Sequence, residues 1–158
     1  NNMAVRPCKM VTGDQLKSVL ASPVFSELVA KDMDEISGML ECCTAEAGDS
    51  LRRVGDESSS LYIVARGCIK LVDPTRREVV GMLTEGQVFG LLSILFPGAA
   101  YIEAYADEPT VCVVLDAGNL RMLEVSNPAL AVRILRGIRA SISNSIRPIL
   151  PILARISV

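Results

Sequence analysis

Five cysteines and no histidine bound the chemistry that this 158-residue sequence can perform. Cys8, Cys42, Cys43, Cys68 and Cys112 form no CxxC pair, and a metal site built from them would lack the imidazole ligand that most such sites use. They read as buried thiols. The absence of His also removes the commonest general base near neutral pH, together with Ser-His and Cys-His nucleophile pairs. No spacing of carboxylates or lysines takes their place. The expectation is a non-enzyme, with no catalytic residue, no metal and no cofactor.

Charge is distributed unevenly around a net value of −2. The last acid is Glu124, after which come Arg133, Arg136, Arg139, Arg147 and Arg155, so an acidic body precedes a basic end. A solvated helix face neutralised in part by the body accounts for this, with an anionic partner surface as the competing reading. Half of the residues are hydrophobic, yet no apolar run reaches the length of a membrane span, and Asn1 to Met10 carry no apolar core of a signal peptide. A cytoplasmic chain without a membrane span is expected.

These side chains need a scaffold, and the periodicity describes one. Thr12-Gly-Asp-Gln15 has the form of a capping box before Leu16, Val19 and Leu20. Pro23 opens a short turn with Phe25, Leu28 and Val29, and Met33, Ile36, Met39 and Leu40 make a third helical stripe. From Glu41 the period shortens. Strands are predicted near 41–47, 50–54, 60–66, 68–73, 77–83, 87–90, 100–106 and 110–115, with turns at Gly48-Asp49, Gly55-Asp56, Gly67 and Asp73-Pro74. Asp116 then caps a short helix, and Asn127-Pro128 starts a long one to about Ile146, broken by Pro148 and Pro151. The expected organisation is a disordered or vector-derived N-terminus (1–11), one domain (12–147) comprising a β body (41–115) and C-terminal helices (116–147), and a C-terminal extension (148–158).

Several spaced motifs carry a resemblance. Ala47-Gly-Asp-Ser-Leu-Arg-Arg-Val-Gly-Asp-Glu57, then Leu61-Tyr-Ile-Val64, Arg66-Gly67, Ile69-Lys-Leu71, Glu85-Gly-Gln-Val-Phe-Gly90 and Asn127-Pro128 follow in the order found in cyclic nucleotide-binding domains of the catabolite activator protein and protein kinase A regulatory type. The chain resembles that family over about residues 14–147. The resemblance implies a mainly β fold, a jelly roll (double-stranded β-helix) with N-terminal helices and a long C-terminal helix. It also implies a phosphate-binding cassette, here Phe89, Gly90, Leu91, Leu92, Ser93, Gly98, Ala99, Ala100 and Tyr101.

In the family a Glu directly after Phe-Gly accepts from the ribose hydroxyl, and an Arg near the cassette's end pairs with the phosphate. Here Leu91 stands at the first position and Gly98 at about the second. Each lost charge-assisted bond is worth about 1.5–3 kcal/mol, so losing two weakens binding by about a hundredfold or more. Between Arg77 and Arg121 there is no Lys or Arg, so a substitute cation would have to come from a distant segment, and Glu103 would add repulsion. Leu92 and Leu95 read first as core; Leu91 and Tyr101 stand at positions that the resemblance makes ligand-facing, and core and ligand-facing readings both stay open for them.

Ala131, Leu135, Ile138, Ile142 and Ser145 recur at heptad-like spacing. A homodimer seamed by Leu135, Ile138 and Ile142 is expected, with Ser145 at a position that contacts the base in the catabolite activator protein. The reading is a sensory or regulatory module that responds to another small ligand or serves as a docking and dimerisation unit. The competing readings are a cyclic AMP or cyclic GMP receptor with a non-standard cassette, and the sensor domain of a larger transcription regulator, channel or kinase. Nucleic-acid binding by this chain alone is not expected.

Overall fold

Alternation of apolar side chains along the longest strands makes one sheet apolar on both faces, so it has to be covered twice. The computed structural model describes residues 6–8, 13–149, 151 and 155. It opens with β1 (Arg6–Cys8), α1 (Gly13–Leu20), two 3-10 turns at Pro23–Phe25 and Ala30–Asp32, and α2 (Met33–Met39). The β body follows as β2 (Glu41–Ala45), β3 (Ser50–Arg52), β4 (Glu57–Ser58), β5 (Ser60–Arg66), β6 (Ile69–Asp73), β7 (Glu78–Leu83) and β8 (Val88–Phe89). After α3 (Leu91–Leu95) come β9 (Gly98–Ala99), β10 (Glu103–Ala106) and β11 (Thr110–Asp116), then α4 (Ala117–Ser126), α5 (Pro128–Ile146) and a 3-10 turn at Arg147–Ile149.

The strands form antiparallel sheets ordered β1-β2-β11-β5-β8 and β3-β10-β6-β7, with β4 and β9 as a separate pair. On the first sheet Leu61, Ile63, Ala65, Val113 and Leu115 join the helices in one core, whereas Val64, Cys112 and Cys43 meet Ile69 and Ala104 of the second sheet in another. The period of two therefore feeds two cores from one pair of strands. This is the expected mainly β jelly roll with flanking helices.

Local chemistry sets the helix starts. Asp116 accepts from Gly118 N at 2.8 Å, and Asn127 accepts from Leu130 N at 3.2 Å ahead of Pro128. Both act as N-caps, satisfying donors that have no intrahelical partner. Long-range contacts set where α5 lies. Gly137 crosses the Pro23–Phe25 turn so closely that a Cβ there would collide with the Val24 carbonyl oxygen. Leu130, Ile134 and Ile138 are fully buried on the same face.

That packing bears on one position of the expected dimer seam, Ile138. Ile138 has no exposed surface within its own chain, and Leu135 and Ile142 are half-buried against the same core. Ile138 is thus a core residue of its own chain, while Leu135 and Ile142 keep part of their surface exposed. Two further differences concern strands. Arg6–Cys8 pairs with β2, Cys8 opposite Cys42, inside a segment expected to be disordered or vector-derived. β4 and β9, each two residues long, carry too little pattern to be predicted. Thr12 and the Gln15 side chain of the expected capping box lie outside the described residues, as does most of 148–158.

Candidate ligand-binding site

Between the two sheets, beside α3, lies a cavity of about 550 Å³. The nine cassette positions from Phe89 to Ser93 and Gly98 to Tyr101 all border it, brought together by β8, α3 and β9. Gly90 makes the turn possible. Its φ of +86° is a conformation that other residues resist, and a Cβ would collide with the Ser60 carbonyl oxygen and lie 3.1 Å from Arg52 Nη2.

Arg52 supplies the cavity's cation. Its guanidinium carbon lies 5.0 Å from the centre of the Phe89 ring and 5.5 Å from that of Tyr62. These two residues are directly paired between β5 and β8, and their rings stack with centroids 4.6 Å apart and planes 3° from parallel. Arg52 Nη2 donates to Ser60 O at 3.0 Å and Nη1 to Ser93 Oγ at 3.4 Å. Burial pushes its pKa below the ordinary arginine value, but a guanidinium stays charged. The stacked rings hold the cation over apolar walls.

The sequence signal for Arg52 was weak because strict alternation would send it to the opposite side from Leu51. The register between β3 and β10 slips by one residue, so that Ala104 faces Arg52 and Tyr105 faces Ser50. Such a bulge re-aims a side chain, and Leu51 packs in the inter-sheet core while Arg52 also borders the cavity. The cation comes from a segment distant in sequence from the cassette, since Arg52 lies outside the stretch between Arg77 and Arg121 that has no Lys or Arg. Glu103 does not add repulsion there, because it points to the other face of β10, where the Tyr105 hydroxyl donates to its carboxylate and Arg77 Nη1 lies 4.0 Å away.

Other predicted positions divide. Leu91 borders the cavity and also packs on the helical core, and Leu95 is half-buried there. Leu92 is 62% exposed rather than core, because Leu91, Ile94 and Leu95 form the side of α3 that packs on the core and Leu92 lies off it. Ser145 stays outside the cavity; its hydroxyl donates to Ser141 O at 2.9 Å within α5. Cys42, Cys43 and Cys112 are buried, Cys68 is half-buried, and no group of three metal-ligating side chains occurs among the described residues. None of the described helices is long and apolar enough to cross a membrane.

The profile described as cyclic nucleotide-binding domain matches residues 43–126, just over half of the chain. This chain belongs to the cyclic nucleotide-binding domain family. Solved structures agree on the fold: a cyclic nucleotide-binding domain from Methylobacillus flagellatus superposes with a TM-score of 0.74 at 19% identity, over 94% of this chain and 89% of that one. The catabolite activator protein of Thermus thermophilus gives 0.72 at 23%, over 86% of this chain and 63% of that protein. A Rhodopseudomonas palustris protein designated a candidate potassium channel is 29% identical over 116 residues, 71% of this chain and 27% of its own length. The chain thus spans about a quarter of that relative. The cavity within the matched region is bordered by Leu91, Gly98 and an arginine from β3.

Proposed function

We propose that this chain is a non-catalytic sensory or regulatory module of the cyclic nucleotide-binding domain family that does not take cyclic nucleotides through the usual contacts. The single observation that carries the reading is Leu91 at the start of α3, bordering the cavity with an apolar side chain where a ribose-accepting carboxylate is expected. Gly98 repeats the loss at the phosphate position. The cavity then responds to a different small ligand, and the module passes that occupancy to whatever domain it is joined to. Its similarity to about a quarter of a longer channel-like protein supports this attachment to an output domain.

Titration with cyclic AMP and cyclic GMP, followed by thermal melting, tests the reading. A ligand bound only by the folded state at about 100 times its Kd adds about 2.7 kcal/mol of stability, which melting detects readily. The expected result is no shift with either nucleotide at about 50 μM, well above the concentration a micromolar receptor needs. A clear rise would favour the second reading, a receptor with a non-standard cassette. That alternative has one observation in its favour, because Arg52 could stand in for the missing phosphate partner.

A further inference from the structure

We infer that the cavity binds an organic monocarboxylate with an apolar body, its carboxylate held by Arg52; this rests on the reading that the nucleotide contacts are missing. The charge is the first argument. Arg52 is half-buried yet takes part in none of the described salt bridges, and the nearby Asp56 carboxylate instead accepts from Arg53 N at 2.9 Å. Asp56 acts on Arg52 only through space, with no carboxylate in salt-bridge contact among the described residues, so an anion arriving at the guanidinium makes a strong charge-assisted pair.

The geometry of the donors narrows the choice of anion. Ser60 O and Ser93 Oγ engage one N–H on each terminal nitrogen, leaving the rest of the planar fork without a described partner. Two parallel N–H groups match the two oxygens of a carboxylate. One positive charge balances a monoanion, a carboxylate as well as a phosphodiester, so the walls have to decide between them. The ring pair of Tyr62 and Phe89 already holds the guanidinium in place, which lowers the ordering cost of binding.

The walls select the body. Apart from Arg52, the polar side chains that border the cavity are Ser93 and Tyr101, so sugar hydroxyls and base edges would leave water without partners. At the mouth Leu92, Phe96 and Tyr101 are 62%, 75% and 83% exposed. Large apolar side chains clustered beside a cavity fit a ligand whose body is apolar.

Calorimetric titration of the purified chain with decanoate, decan-1-ol and cyclic AMP tests the inference. Decanoate should bind about tenfold or more tighter than decan-1-ol, because the alcohol keeps the chain but loses the charge. Arg52→Met should abolish this preference, and Arg52→Lys should retain part of it. Melting curves establish that each variant is folded, and if Arg52→Met is not, the acid-to-alcohol ratio in the parent and in Arg52→Lys still decides. Equal binding of acid and alcohol, unchanged decanoate binding in Arg52→Met, or no binding of any probe would overturn the carboxylate anchor and leave the non-nucleotide reading standing. Binding of cyclic AMP without binding of decanoate would overturn both.

Discussion

Arg133 reaches from α5 to make a two-pronged contact with Asp32, Nη2 to Oδ1 at 2.6 Å and Nε to Oδ2 at 2.9 Å. Asp32 is only 2% exposed and also accepts from Val29 N at 2.9 Å. The last helix is thereby tied to the N-terminal segment over 101 residues of sequence separation. Bonding to Arg133 outweighs burial and holds the Asp32 carboxyl below the usual aspartate range.

The pH dependence of stability follows from that shift. A carboxyl with a depressed folded-state pKa contributes stability above its unfolded value of about 3.9 and loses it as pH falls through the folded value. Acid titration of the melting temperature should therefore be steeper below about pH 4 for the parent than for Asp32→Asn. At pH 7, Arg133→Ala should cost about 2–4 kcal/mol, since it leaves a buried carboxylate with one backbone donor. Equal acid slopes for parent and Asp32→Asn would refute this role.

Ile138 lies inside its own domain, so Ile138→Asp should unfold the chain rather than dissociate a dimer. An unpaired buried carboxylate is expected to cost more than about 4 kcal/mol. Circular dichroism with sedimentation separates the outcomes, and a folded monomeric variant from a dimeric parent would place Ile138 in the seam. Self-association that survives has other apolar side chains to use, such as Met122 and Val125, which are 70% and 87% exposed on α4.

At Gly137 the prediction is steric. Ala there must push α5 away from the Val24 carbonyl, costing about 1–3 kcal/mol or more despite the better helix propensity of Ala. Chemical denaturation measures it. Stabilisation would mean that the helix crossing is looser than described.

On the reading proposed above, changing Leu91→Glu together with Gly98→Arg should raise the affinity of the cavity for cyclic AMP. The gain should appear as a nucleotide-dependent rise in melting temperature larger than that of the parent. Because Leu91 also packs on the helical core, the double variant is expected to melt lower when unliganded. If its melting temperature ignores cyclic AMP, the short loop around β9, rather than the missing charges, is what excludes the nucleotide.

Arg52 fixes the opening between β3 and α3, and Gly90→Ala should disturb both. The added methyl would meet Ser60 O and crowd Arg52 Nη2 in a left-handed conformation, costing about 1–3 kcal/mol. Decanoate affinity should fall with it. A variant with parental stability and affinity would show that the turn accommodates a side chain.

Much of the fold was legible because it rests on local and periodic signals. Alternation along 60–66 and 110–115, glycines at the turns, and the caps Asp116 and Asn127 each act within a few residues, and the spaced motifs identified the family and placed Phe89 to Tyr101 in one cassette. Three outcomes needed the tertiary structure. Heptad-like spacing on α5 shows that a stripe is apolar but not what it packs against, and the Gly137 crossing at Val24 turned its Ile138 inward. Arg52 sits in a run that alternates in sequence, and only the one-residue slip against β10 aims it into the cavity beside Phe89, 37 residues away. Glu103 is ambiguous alone, and pairing with Tyr105 on the far face of β10 removed it from the site. Sequence by itself determines which faces are apolar and where the chain turns, because those preferences are short-ranged; which faces meet, and which charge ends up without a salt bridge, is decided by contacts that exist only after the sheets have paired.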